Sequence, residues 1–216
     1  MNREELIARY EKVAIASVAD ACDAVVGRTC YMSYDMQART CEKRVVGPAI
    51  TVGEAQAVKN FEPKYTIEQV ENSKPGDVLV IGMEGDARNM AVLGGLITAG
   101  AVAKKMAGAV LDAGVRDVDE IRSYGFPVYA RSVSPGTTLG RYTTVTMNEP
   151  VICGGVRVCP GDLIVAGTDG VVAVPQEYAE EVLKAAEDID AKEAEQAKYI
   201  TETGSLKAGL AKYNRI

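Results

Sequence analysis

The sequence predicts an α/β fold: a parallel, right-handed core preceded by helices and followed by a β-rich segment and one long helix. Three observations carry this. Residues 77–133 alternate apolar runs with helical patterns, the mark of successive βαβ units. Residues 142–175 hold short apolar strands separated by Gly-Gly, Pro-Gly-Asp and Asp-Gly turn signals. From Gln176 to about Thr203 the chain is an uninterrupted, charged helical pattern.

The elements follow in order. Residues 2–26 read as two helices. NREELIARYEKV has apolar positions at helical spacing, and SVADACDAV follows with Ser17 as its expected N-cap. VVGPAITVGEAQAV, 45–58, reads as a strand pair, and the segment 61–77 holds a short helix. DVLVIGM, 77–83, is a buried strand. NMAVLGGLITAGAVAKKMAG, 89–108, is expected as one helix of small residues, with Gly94-Gly95 in its N-terminal part and Gly108 closing it. AVLDA, 109–113, is a second buried strand, DVDEIRSYG a short helix ending at Gly125, and FPVYARSV the next strand. KPGDVLVIG and CPGDLIVAG look alike, each placing a Pro-Gly-Asp turn before an apolar strand, which suggests related units in one sheet system. The C-terminal helix shows no long apolar face, so it is expected to pack on a neighbouring subunit. With no linker and no low-complexity segment, the expected organisation is a single domain over 1–216 with a helical arm at about 176–203.

Composition narrows the function. The 216 residues are 47% hydrophobic and 25% charged, enough to bury a sizeable core. The net charge is −6 and aromatics are 6%, so no nucleic-acid partner is expected. No stretch approaches a membrane span, and the charged N-terminus has no signal-peptide pattern, so a cytoplasmic location is expected. The five cysteines, Cys22, Cys30, Cys41, Cys153 and Cys159, are scattered with no CxxC, and read as free thiols. Histidine is absent, which removes the commonest general base and the commonest ligand of softer metals. Any metal is therefore expected to be hard and oxygen-ligated, Mg2+ or Mn2+.

One constellation could carry chemistry. Gly94 and Gly95 lie near a helix start, where unpaired N–H groups favour an anion and glycine allows close approach. Arg116 follows the next strand, at the end where α/β sheets bind ligands, and its fork suits a carboxylate. Asp117, one residue on, could give a divalent cation one oxygen and leave the remaining positions to water. Together these describe a site for a small keto acid chelated to a metal. The plainer account is close packing for the glycines and a helix cap with a solvated ion pair for Arg116–Asp117.

The stretch GGLITAGAVAKKMAGAVLDAGVRDVDEIRSYGFPVYARSVSPGTT closely resembles the class II, metal-dependent pyruvate aldolases that cleave 4-hydroxy-4-methyl-2-oxoglutarate, the relatives of the regulator of ribonuclease activity A. The similarity extends from SVADACDAV through GPAITV, PGDVLVIG and PVICGGVRVCPGDLIVAGTDGVVAVP into the C-terminal helix. The family pattern is an acid, twenty residues, Arg-Asp, two residues and another acid; this chain supplies Arg116, Asp117 and Glu120. The resemblance implies a β/β/α swivelling-type sandwich, assembled as homotrimers or homohexamers with sites between subunits. It implies that Asp117 holds Mg2+ or Mn2+ and that Arg116 binds the keto acid and steadies the enolate oxygen. The N–H groups of Gly95, Leu96 and Ile97 would then hold the substrate carboxylate. Glu193 or Glu195 from a neighbouring subunit would orient a water on the metal.

One position departs from the pattern. Its first acid falls at 95, which is glycine here. In the family that acid helps hold the water that shuttles protons, and Asp86 or Asp112 are the nearest substitutes the sequence offers. The departure fits oxaloacetate decarboxylation, which needs the metal and Arg116 more than a base. Three functions therefore stand: a lyase releasing pyruvate, an aldolase or a decarboxylase, in which replacing Arg116 or Asp117 abolishes activity at little cost in stability; a non-catalytic regulator that binds a ribonuclease or another protein; or an enzyme of the same scaffold acting on a different small acid.

Overall fold

The computed structural model describes residues 1–59 and 62–213, and its centre is one long strand, β2 (Val45–Gln56). One edge of β2 pairs in parallel with β3 (Val78–Met83). The other edge is shared: Val45–Pro48 pair with antiparallel β10 (Leu163–Gly167), and Val52–Gln56 with antiparallel β7 (Tyr142–Met147). Beyond β3 follow β5 (Gly108–Val115) and β6 (Val128–Val133), both parallel, and then the two-residue β1 (Gln37–Ala38). β11 (Gly170–Val174) forms a hairpin with β10, and β4 (Ala87–Leu93) runs parallel to the end of β5. These make one nine-stranded mixed sheet; β8 (Val151–Cys153) and β9 (Val156–Val158) form a separate hairpin.

The layers follow from strand alternation. Leu79, Ile81, Leu111 and Val115 face a layer of short helices, α3 (Lys64–Asn72), α4 (Gly95–Ala103) and α5 (Val118–Ser123). Val78, Val80 and Val110 face the other way and pack on Val151, Cys153 and Val156 of the β8–β9 hairpin. Hairpin, sheet and helices are thus stacked as β/β/α, the sandwich that the family resemblance implies. A third cluster joins α1 (Arg3–Tyr10), α2 (Ile15–Val25) and α6 (Ala179–Thr203) to β10 and β11 through Val18, Cys22, Val165, Val174, Val182 and Leu183. A 3-10 turn, Gln176–Tyr178, leads into α6, and α7 (Leu206–Tyr213) follows it. Among the described residues no helix is long and apolar enough to cross a membrane, and all five cysteines are free.

The two Pro-Gly-Asp turns are the same structure twice. Gly76 and Gly161 have φ of +82° and +89°, a conformation that favours glycine. The Asp77 carboxylate accepts the Lys74 N–H at 2.7 Å and the Asp162 carboxylate accepts the Cys159 N–H at 2.7 Å. The turns launch β3 and β10, which lie on opposite edges of β2, β10 against Val45–Pro48 and β3 against Ala49–Glu54.

Four expectations change. Residues 45–56 are one strand rather than a pair, because the two halves find different partners along one edge and need no turn between them. The expected helix 89–108 divides: Ala87–Leu93 is strand, the helix occupies only Gly95–Ala103, and Gly108 opens β5. A short run of small apolar residues does not distinguish helix from strand until its neighbours are known. Ser17 is buried inside α2, whose N-cap is Ala14. The first half of α6 does have an apolar face, Val182, Leu183 and Ala186, packed within this chain; the exposed part lies beyond it.

Candidate active site

β4 and β5 end side by side, at the pair Leu93–Val115. The Arg116 N–H donates to the Leu93 carbonyl at 3.0 Å, the last rung before both chains turn into helices. Two helices therefore start at one sheet edge, α4 at Gly95 and α5 at Val118. Asp117 makes the second turn in the left-handed conformation, φ 53° and ψ 38°, which aspartate tolerates better than most residues. In an unbroken strand Arg116 and Asp117 would point to opposite faces. The left-handed turn breaks that alternation, and both line one cleft of about 310 Å³.

Gly94 and Gly95 form the cleft's helix side. A Cβ on Gly94 would lie 2.7 Å from Asp117 Oδ2 and 3.0 Å from Arg116 Nε, so these side chains rest against bare backbone. The Gly95 N–H donates to Asp117 Oδ2 at 3.0 Å, so Asp117 caps α4 where Gly94 has no side chain to do so. The first-turn N–H groups of Leu96 and Ile97 have no acceptor among the described residues, and the helix dipole favours an anion there. Arg116 Nε lies 3.7 Å from Asp117 Oδ2, with the two side chains 44% and 43% exposed. Thr137, Thr138, Leu139 and Tyr142 form the opposite wall.

Glu120, on the first turn of α5, reaches the same cleft. Its carboxylate accepts the Tyr124 hydroxyl at 2.7 Å and stands where a side chain on residue 95 would stand. A Cβ on Gly95 would lie 2.1 Å from Glu120 Oε2. Glycine at 95 thus admits a second carboxylate from α5 into the place a side chain there would take.

The structure brings Gly94, Gly95, Leu96, Ile97, Arg116, Asp117 and Glu120 together around one cleft. It places the other sequence candidates elsewhere. Asp86 pairs with Arg88, and Asp112 with Arg131, around a separate depression, so neither substitutes for an acid at 95 in this cleft. Glu193 and Glu195 lie on the exposed part of α6 and contribute nothing to the cleft within one chain.

A buried acid of the cleft escapes the sequence reading, as do the residues of the opposite wall. Glu54 lines the cleft from β2 and is only 2% exposed. Its Oε1 has no hydrogen-bond partner, and burial pushes its carboxyl up to about 7. The signal was available: Glu54 is in phase with Ile50 and Val52, an acid on the apolar face of a strand.

Comparison with known proteins finds relatives in sequence and in fold. Residues 15–173 match the family described as RraA-like, Aldolase/RraA. A protein of Halalkalibacterium halodurans named "Putative 4-hydroxy-4-methyl-2-oxoglutarate aldolase" is 31% identical over 185 residues, 84% of this chain and 82% of that one. Streptomyces coelicolor RraAS2, described as an unusual member of the RNase ES inhibitor RraA protein family, is similar in structure with a TM-score of 0.79 and 26% identity, covering 92% of this chain and 98% of its own. An uncharacterized protein from Pseudomonas syringae shares the fold at a TM-score of 0.86 and 24% identity, over 98% of this chain and 95% of its own.

Proposed function

The chain belongs to the Aldolase/RraA family, and from that premise we propose that it is a divalent-metal-dependent lyase that forms pyruvate through its enolate, cleaving 4-hydroxy-4-methyl-2-oxoglutarate-type acids and decarboxylating oxaloacetate. The observation that carries this reading is the convergence of Arg116 and Asp117 on the start of α4 within one cleft.

The donor set fits a hard cation. The ionisable groups lining the cleft are three carboxylates, Glu54, Asp117 and Glu120, one guanidinium, Arg116, and the phenol of Tyr142, with no thiol. No three His, Cys, Asp or Glu side chains cluster as a metal cage among the described residues, so Asp117 would hold Mg2+ or Mn2+ with water completing the shell. Such an ion would polarise the keto oxygen and stabilise negative charge that develops on it. Arg116 presents its fork to the same anionic substrate and steadies the enolate oxygen by charge-assisted hydrogen bonds. The Leu96 and Ile97 N–H groups receive the substrate carboxylate at the helix start. Glu120, steadied by Tyr124, limits the cleft on the side of Gly95.

The assembly belongs to the same proposal. Leu96 is 89% exposed at the mouth of the cleft, and Leu139 on the facing wall is also exposed. Apolar side chains at the mouth of a polar cleft support a homotrimer or homohexamer that covers it, in which Glu193 or Glu195 of a neighbouring copy would reach the site.

Pyruvate release from both substrates, with Mg2+ and with chelator, tests the reading. Metal-dependent release is expected from oxaloacetate and, with glycine at 95, from the aldol substrate as well. A second reading, a protein-binding regulator, is favoured by the description of the Streptomyces coelicolor relative. Thermal stabilisation by oxalate together with Mg2+ separates the two, since a protein-binding module has no cause to show it. Absence of both turnover and stabilisation would overturn the lyase.

A further inference from the structure

Glu54 is a buried acid with no structural employment. It sits near the carboxyl end of β2, where its neighbours across the ladder are Met83 and Thr144. Its side chain lies on the face that Ile50 and Val52 give to the helix-side core. Neither carboxylate oxygen accepts a hydrogen bond from a described residue, and no cation pairs with it. A buried group left in that state destabilises the fold, because its desolvation is not compensated. Asp112 is the contrast: it is also largely buried, but it accepts from Arg131 and from the Gly154 N–H. The other titratable groups facing the cleft are Arg116, Asp117, Glu120 and Tyr142. Tyr142 is engaged with the Asp86 carbonyl at 3.3 Å, Asp117 with Gly95, and Glu120 with Tyr124. Glu54 alone among the cleft's carboxylates has no partner and is shielded from bulk water.

We propose that Glu54 is the catalytic acid–base group of this cleft, moving the proton that the reacting carbon gains. The assignment rests on the lyase reading above. In aldol cleavage the Glu54 carboxylate takes the proton of the 4-hydroxyl as the C3–C4 bond breaks. The bonding pair passes to C3 as pyruvate enolate, and the former C4 leaves as a carbonyl. The proton then moves from Glu54 to C3 and makes the methyl group, leaving Glu54 as it began. In oxaloacetate decarboxylation the pair reaches C3 with loss of CO2, and Glu54 supplies a proton that it recovers from water. A carboxyl held near neutrality by burial is suited to both directions of transfer.

The test is exchange of the pyruvate methyl protons for deuterium, followed by NMR in D2O with Mg2+, alongside the shift in melting temperature produced by oxalate and Mg2+. Wild type is expected to exchange and to be stabilised. Glu54→Gln, which keeps the shape and loses the proton, is expected to slow exchange on the order of 100-fold or more and to keep the oxalate shift. Glu54→Asp, an acid on a shorter stem, is expected to recover part of the rate. Exchange at the wild-type rate in Glu54→Gln would overturn the assignment while leaving the lyase intact. Equal loss of exchange and of the oxalate shift in both variants would mark Glu54 as structural and overturn it too. Wild type that neither exchanges nor is stabilised would remove the lyase reading, and the assignment with it.

Discussion

Two arginine–carboxylate groups flank the end of β5, and they are built for opposite ends. In the first, Arg131 Nε lies 2.6 Å from Asp112 and its Nη1 lies 2.6 Å from Asp35, while Asp112 also accepts the Gly154 N–H. That cluster ties the sheet, the 30–36 segment and the β8–β9 hairpin together, one guanidinium shared by two carboxylates, and it is well covered. In the second, four residues further along, Arg116 meets Asp117 only at 3.7 Å and both side chains remain nearly half exposed. A closed ion cluster has no capacity left for a ligand. An open one keeps donors in reserve, and its arginine contributes little to folding.

The largest effect expected from this contrast is on activity. Arg116→Ala should lower kcat/KM for oxaloacetate on the order of a thousandfold, about 4 kcal/mol of transition-state stabilisation. Its urea midpoint should stay close to wild type, because a half-exposed pair contributes little. Arg116→Lys, which keeps the charge and loses the planar fork, should recover only part of the rate. An Arg116→Ala enzyme with full turnover would remove the functional half of the comparison.

Arg131→Met reverses the pattern. It leaves Asp35 and Asp112 without their cation in a covered setting, and a loss of roughly 3–5 kcal/mol is expected, read as a lowered urea midpoint at unchanged slope. At a temperature low enough for the variant to remain folded, turnover per folded molecule should stay near wild type. A stable Arg131→Met protein that has lost turnover would mean the closed cluster is part of the site.

Glu54 gives the cleft a stability signature of its own. Its carboxyl is raised from 4.5 to about 7 by burial. Its contribution to stability is therefore complete below pH 4.5 and is lost as pH rises through 7. Across that window wild type should lose roughly 3 kcal/mol relative to Glu54→Gln, taking about 1.4 kcal/mol for each unit of the difference. Chemical unfolding of both proteins at several pH values measures the gap, and a constant difference would mean that Glu54 does not titrate in this range.

Most of the architecture is legible in the sequence because it is written in period and punctuation. The strands at 77–83, 109–113 and 126–133 are apolar runs between turn signals, and two Pro-Gly-Asp turns announce β3 and β10. The family motif also points to Arg116, Asp117 and Glu120. What stays hidden depends on partners distant in sequence. Residues 87–93 become a strand only because β5 offers them an edge. The apolar face of α6 matters only against α2. Glycine at 95 reads as a missing acid until Glu120 is seen in the space it leaves. Glu54 could have been noticed, an acid in phase with Ile50 and Val52, but its burial and its place in the cleft require β7 and the 137–139 loop to fold over it.

The smallest effect refines the open pair itself. From sequence, replacing Asp117 should cost activity and almost no stability. The structure gives its carboxylate a second task, capping α4 through the Gly95 N–H at 3.0 Å, in a backbone conformation that alanine adopts less readily. Asp117→Ala should therefore lose about 1 kcal/mol of stability, while Asp117→Asn, which keeps an acceptor and tolerates the left-handed turn, should lose only a few tenths. Neither should retain metal-dependent turnover, since the amide cannot replace a carboxylate toward a hard cation. The pair thus separates the two tasks of one side chain: unfolding midpoints report the cap, and turnover reports the charge. If Asn and Ala were equally destabilising, the Gly95 contact would not be a cap, and the cleft would be held open by Gly94 packing alone.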